Sequence, residues 1–566
     1  MGTERRSIGA RASGASVSGM GVGGGGVGGA SCGGAGDTGE HDRPAHPPPD
    51  PLPSVPLVEL THTGGAGPAS EGLVDDEVAA ILASREAGGA AVRGGALRVA
   101  GYTVNALLGA LAAAFLFRHL GITGAGTYVT AMSIAAIVGG LSDLGLTALG
   151  VRELSVRDAE GRSQLMSNLL GLRVALTLVG IAGSVLFALL VGYRSIVVAG
   201  VALAGAALLL QNIQSTLSLS LISRLRLGLL TATDLGRQGL TTVLTIALVA
   251  LGAGLLWFIG LALPVGLLFL VLIAWLVRSE VPLVPRFNRA EWRVLVRQVL
   301  PYSVAVALAV IYFRLSVIVV SLTSSASQLG YFSTSFRILE VLVVIPGLMV
   351  TGVFPIFARA ALDDHERFAY AVSRVFVSSL IVGTWFVLAL ALGAPLAIHA
   401  IGGEAFSKAI GVLRIQAFGL GGSFVSAVWG MALLSLRRNR ELMFVNLAAL
   451  IVGSVLVVVL ASTHGAQGAA LGTAITEVTL AAAVPFVLHR TDPHLVPSMA
   501  VVPRVALAAG AAALVALLPG LPAIVLVVLA TVLYFAILLA VRAIPQELLD
   551  ELHGARSRFA PGRRPA

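Results

Sequence analysis

The chain has 566 residues, 56% of them hydrophobic and only 12% charged, with a mean hydropathy of +0.91. That composition leaves too little polar surface for a soluble domain and reads instead as a polytopic helical membrane protein. The formal charge of +9 sits on loop arginines without interleaved aromatics, which excludes a base-stacking nucleic-acid surface, and the single cysteine, Cys32, excludes disulfides and thiolate metal sites within the chain.

Residues 1–75 are a Gly-, Ser- and Pro-rich tail with little to bury, expected to be disordered and cytoplasmic. No continuous apolar stretch follows Arg5 and Arg6, so the tail does not read as a secretory signal. Residues 76–95 carry acids first and arginines later, the charge order of a short helix lying on a membrane surface. Fourteen apolar stretches follow, each near the ~20 residues that cross a bilayer at ~1.5 Å per residue. They are 96–117, 126–149, 165–191, 196–222, 239–256, 259–277, 302–322, 329–357, 368–392, 410–436, 442–461, 466–488, 501–518 and 521–541. The expected architecture is all-α and polytopic, with about fourteen transmembrane helices. It has an N-terminal lobe at 96–281, a basic cytoplasmic linker at 282–298, a C-terminal lobe at 299–488, an extra hairpin at 499–543 and a basic cytoplasmic tail at 544–566.

Basic residues alternate between the loops. One set holds Arg152, Arg157, Arg162, Arg224, Arg226, Arg237, Arg278, the linker arginines Arg286, Arg289, Arg293 and Arg297, then Arg359, Arg367, Arg374, Arg437, Arg438, Arg440, Arg490 and Arg504; the other holds only Arg118, Arg194, Lys408 and Arg414. The positive-inside rule places the first set, and both termini, in the cytoplasm.

Residues 301–359 form a hairpin in which each apolar run carries an arginine, Arg314 and Arg337, ~12 to 14 Å from the connecting turn at helical rise. Guanidinium is costly in a bilayer, so such residues face a bundle interior or a wet cavity, here one suited to something anionic. The second helices of the two lobes open alike, GTYVTAMSI from Gly126 and GYFSTSFRI from Gly330, as parallel repeats flanking a cavity would.

Three segments resemble polysaccharide-biosynthesis flippases of the multidrug/oligosaccharidyl-lipid/polysaccharide exporter superfamily. They are LGITGAGTYVTAMSIAAIVGGLSDLGLTALGVRELS (120–155), LGYFSTSFRILEVLVVIPGLMVTGVFPIFAR (329–359) and HGAQGAALGTAITE (464–477). The resemblance, over about 96–541, implies two six-helix lobes in a V and alternating access. It also implies movement of lipid-linked glycans from the inner to the outer leaflet of a bacterial cytoplasmic membrane, without a cofactor. Helices thirteen and fourteen look like the pair that lines a lipid-tail groove in related lipid II flippases. The implied partners are a polyprenyl-diphosphate-linked glycan, the bilayer, and polysaccharide polymerases or glycosyltransferases.

Given such a cargo, Arg314 and Arg337 fit a diphosphate clamp, since arginine binds phosphate through paired donors and stays charged. The competing reading pairs Arg337 with Glu340 one turn away, with Arg314 joining. Arg173 either receives headgroups or snorkels to the inner interface. Glu340 and Glu477 are candidates for ion coupling, set against a structural hydrogen bond or a neighbouring arginine. Asn105, Gln211 and Asn212, with Gln214, either bond sugar hydroxyls or join helices. Pro346, Gly347 and Pro355 can bend the eighth helix. A membrane glycosyltransferase or glycan ligase needs acids or histidines on a sizeable loop, which the outer loops lack beyond 399–408. A drug/cation antiporter of the same architecture is disfavoured by arginines at the cavity. With Lys408 as the only lysine, no phosphate-binding loop of the P-loop type exists.

Overall fold

The computed structural model describes residues 85–543 apart from 144, 157–158, 224–225, 280–283 and 364, so the expected tails 1–75 and 544–566 lie outside the described residues. All regular structure among the described residues is helical. The first lobe comprises α1 (Arg85–Asp143), α2 (Leu146–Val156), α3 (Ala159–Leu190), α4 (Ser195–Leu217), α5 (Leu219–Ser223), α6 (Leu227–Ala250), α7 (Leu255–Gly260) and α8 (Ala262–Val277). The second comprises α9 (Arg289–Thr323), α10 (Ala326–Leu342), α11 (Val344–Asp363), α12 (His365–Gly402), α13 (Ala409–Ser435) and α14 (Asn439–Thr491), followed by α15 (Val501–Ala513) and α16 (Ala523–Ala540).

Ten of the described helices are long and apolar enough to cross a membrane, by length and composition. Two of them, within α1 and α14, each hold two of the expected spans, because the chain turns at Gly121 (φ 67°) and Gly465 (φ 57°). Those left-handed dihedrals suit a residue without Cβ. Prolines set two further interruptions. Pro264 and Pro346 have no N–H to give the carbonyls of Gly260 and Leu342, and α7 and α10 end at those residues. The eighth span is therefore two helices, α10 and α11, meeting at Val343.

Two expected boundaries differ. Residues 85–95, expected within a separate surface helix, are the first turns of α1, which runs on through Gly88, Gly89, Gly94 and Gly95 with no proline to break it. The seventh helix starts at Arg289, inside the predicted linker. Asn288 caps it by accepting the Ala290 N–H at 3.1 Å.

The lobes meet where α1 packs on α9, α10 and α12. This seam lies at the end of the bundle that carries few basic residues. There Phe117, Val129, Val317, Phe332 and Phe406 share one buried cluster. Arg118 donates to the carbonyls of His399 (3.0 Å) and Ala400 (2.8 Å), and Tyr193 bonds Ser321 at 2.5 Å. Gly330 permits the closest approach: a Cβ there would stand 2.1 Å from the Ile122 carbonyl oxygen. The hairpin α15–α16 packs on α12, with Tyr534 Oη donating to the Ile381 carbonyl (2.9 Å) and Trp385 Nε1 to Thr531 Oγ1 (3.1 Å).

A Gly330→Ala substitution is expected to force this seam apart, because backbone rather than a flexible side chain occupies the space. In a Cys32→Ser background, Ser333→Cys, fully buried beside the seam, should react slowly with maleimide. Adding Gly330→Ala should raise that rate severalfold; an unchanged rate would show that the close approach does not hold the seam shut.

Candidate functional site: a charged triad at the lobe interface

The heptad-like spacing of α10 puts Arg337 and Glu340 on one face, three residues apart, and the α9–α10 hairpin brings Arg314 to the same depth. Glu340 is held from both sides. Arg314 pairs with one carboxylate oxygen and Arg337 Nη1 donates to the other at 2.6 Å. The triad carries one net positive charge. Its side chains are 17%, 37% and 21% exposed for Arg314, Arg337 and Glu340, so it is partly desolvated yet reachable. Arg314 also lies 5.6 Å from the ring centres of both Phe313 and Phe336, a cation–π placement. The first lobe reaches the same place: Tyr102 Oη donates to the Val341 carbonyl at 3.0 Å, and Tyr128 is within electrostatic reach of Arg337 and Glu340.

Arg314 lines a cavity of about 510 Å³ together with Ala136 and Gly140 of α1, Val306 and Val310 of α9, and Leu442 and Asn446 of α14. Gly140, Val306 and Leu442 belong to the arginine-rich ends of their helices, so the cavity lies on that side of the closed seam. Sequence reasoning missed Asn446 and Tyr128. A polar residue early in an apolar run is the signal that marks Asn446.

Arg173 is elsewhere. It is 4% exposed inside the first lobe, where it pairs with Asp143 and donates to Thr147 (2.8 Å), Ser215 (3.0 Å) and Thr216 (3.1 Å). Asn212 is buried beside this network and donates to Thr177 at 2.8 Å. Gln211 is exposed and Asn105 is half-buried on α1. The structure therefore joins Arg173 and Asn212 to each other's surroundings and not to the triad.

Glu477 accepts a 3.0 Å hydrogen bond from Ser423 and lines a chamber of about 30 Å³ in the second lobe with Tyr312, Gln416 and Thr473. Gln416 is 1% exposed, and neither atom of its amide has a hydrogen-bond partner among the described residues. Phe313, Phe336 and Val343 also line this chamber, while Phe313 and Val343 line the larger cavity too. One aromatic wall thus separates the two spaces. A third space, an apolar groove of about 1340 Å³, runs between α12, α13, α14 and α15 and is lined by Leu380, Val387, Val425, Phe486, Val502 and Ala513 among others.

Residues 91–361 match the family described as polysaccharide biosynthesis protein. No curated protein matches the sequence. Among solved structures, the chain is similar to the lipid II flippase MurJ in an inward closed conformation, with TM-score 0.63 and 12% identity over 78% of this chain and 97% of that one. It is also similar to an inward-facing multidrug resistance MATE family transporter of the MOP superfamily (TM-score 0.54, 17% identity, 70% and 97% covered). A third similar structure is a MOP superfamily transporter from Pyrococcus furiosus with reversed binding-pocket polarity (TM-score 0.51, 17% identity, 71% and 95% covered). Residues 91–361, a little under half of the chain, thus resemble the polysaccharide biosynthesis family, and the chain is a multi-pass membrane protein with the fold of the MOP superfamily transporters.

Proposed function

We propose that the protein flips a lipid-linked oligosaccharide, carried on a polyprenyl diphosphate, from the inner to the outer leaflet of a bacterial cytoplasmic membrane. The observation that carries this reading is the net-positive triad, whose Arg314 lines the interlobe cavity. Two guanidiniums share one carboxylate, so each keeps donors to offer a diphosphate, whose oxygens match the planar arginine fork. The matched family and the lipid II flippase named among the similar structures support a lipid-linked glycan as cargo.

The arginine-rich end is cytoplasmic in this reading, following the positive-inside bias. The closed seam then faces outward and the cavity faces the leaflet on which glycans are assembled, a cargo-loading state. Cargo sugars occupy the cavity near Asn446, with Asn105 and Gln211 as further sugar contacts on the first lobe, while the polyprenyl chain lies in the apolar groove beside α15. Arg173 and Asn212 hold the first lobe together as it rocks. Of the two acids, Glu477 is better suited to ion coupling, because both oxygens of Glu340 are already engaged by guanidiniums. Occupation of the chamber by a proton or a cation shifts the Phe313–Phe336 wall, whose residues adjoin Arg314 and Arg337, and so reaches the cargo site.

Depletion in the host, with quantification of lipid-linked glycans on each leaflet, tests the function. Intact glycan should accumulate on the cytoplasmic leaflet, and normal arrival outside with failed polymerisation would overturn flipping. Arg314→Ala and Arg337→Ala should each weaken diphosphate binding roughly ten- to hundredfold, from the ~1.5–3 kcal/mol of a charged hydrogen bond, and should not restore transport at normal membrane levels. Glu477→Gln should leave cargo binding near wild type while transport in vesicles loses its dependence on an imposed ion gradient. Retained gradient dependence would remove Glu477 from coupling.

A further inference from the structure

Four arginines in the segment leading into α9 have no role in the triad or the cavity. Arg286, Arg289, Arg293 and Arg297 are all exposed, and among the described residues none has an acidic partner. The last three recur every fourth residue, which stacks them on one face of α9. The opposite face is buried: Leu295 is 5% exposed, and Trp292 and Val296 pack with it against Leu165, Leu169 and Leu172 of α3. Backbone contacts fix the segment in place. The Arg286 N–H donates to the Ser167 carbonyl at 3.0 Å, and the Arg286 carbonyl approaches so closely to Gly171 that a Cβ there would stand 2.1 Å from it. Asn168 donates to the Glu291 carboxylate, which ties that side of α9 to α3.

The anchoring residues stand where α3 begins its apolar run, so the stripe is held at the level of the membrane boundary. Val284 and Phe287 are 70% and 64% exposed beside it, apolar groups that a headgroup region accommodates and water does not. A row of guanidiniums that have no acidic partner among the described residues, next to exposed apolar side chains at a bilayer boundary, matches the phosphate and upper acyl region of an anionic lipid.

We propose that Arg289, Arg293 and Arg297, with Arg286, form a binding site for anionic phospholipid headgroups on the surface of the first lobe. Bound lipid neutralises the stripe and clamps the start of α9 to α3. Because α9 continues as one helix to Arg314, the site ties the lipid surface to the interlobe cavity.

The full-length protein in neutral detergent, titrated with phosphatidylglycerol, phosphatidylcholine or a polyprenyl diphosphate and read by native mass spectrometry, tests this. Phosphatidylglycerol should be retained over phosphatidylcholine. The triple variant Arg289→Gln, Arg293→Gln, Arg297→Gln should weaken that retention on the order of a hundredfold, at about fivefold per guanidinium. The corresponding triple lysine variant should keep most of it, which guards against a folding defect. Arg504→Gln, an exposed arginine near the start of α15, should change nothing. Equal retention of the two phospholipids, or an equal loss in Arg504→Gln, would overturn the site. Loss of polyprenyl diphosphate alone in the triple variant would also overturn it, by making the stripe part of the cargo path. None of these outcomes depends on whether the protein flips a glycan, so failure here leaves the proposed function standing.

Discussion

A guanidinium within an apolar layer is stable only where oxygens hold it, and that constraint shapes both lobes. They meet it in opposite ways. In the first lobe Arg173 is surrounded by Asp143, Thr147, Ser215 and Thr216, which leaves it 4% exposed with both terminal nitrogens engaged. In the second lobe Arg314 and Arg337 divide one carboxylate between them and stay partly exposed. The first arrangement is a stitch between α1, α2, α3 and α4. The second leaves a guanidinium, that of Arg314, facing a cavity.

The triad also sits at a mechanical discontinuity. Glu340 is in the last turn of α10, and the helix stops at Leu342 because Pro346 cannot donate to its carbonyl. Phe313, whose ring centre is 4.9 Å from that of Phe336, lines both the Arg314 cavity and the Glu477 chamber. Charge, break and wall therefore occupy one layer of the second lobe, so a change in any of them is felt by the other two without a long path between them.

Between helices in a bilayer, apolar burial gives little net drive, and close backbone approach with a few polar contacts does the joining. The seam follows that rule through Gly126 and Gly330, with Arg118 and Tyr193 reaching across at its edge.

Hydropathy made the long apolar helices legible in the sequence, because a bilayer demands long apolar runs wherever a chain crosses it. The meeting of Arg337 with Glu340 followed from helical spacing, and the equal depth of Arg314 from the hairpin. The partners of Arg173 were not legible, since they lie on several helices and an apolar run does not record which of its faces meets which neighbour. For the same reason nothing in the chain placed Gln416 beside Glu477, or the start of α9 against Ser167. The sequence by itself determined where the long apolar helices lie and which charges fall within them. Only the tertiary structure decided which of those charges are spent on holding helices together and which remain available to a ligand, because pairing across helices depends on contacts distant in the chain.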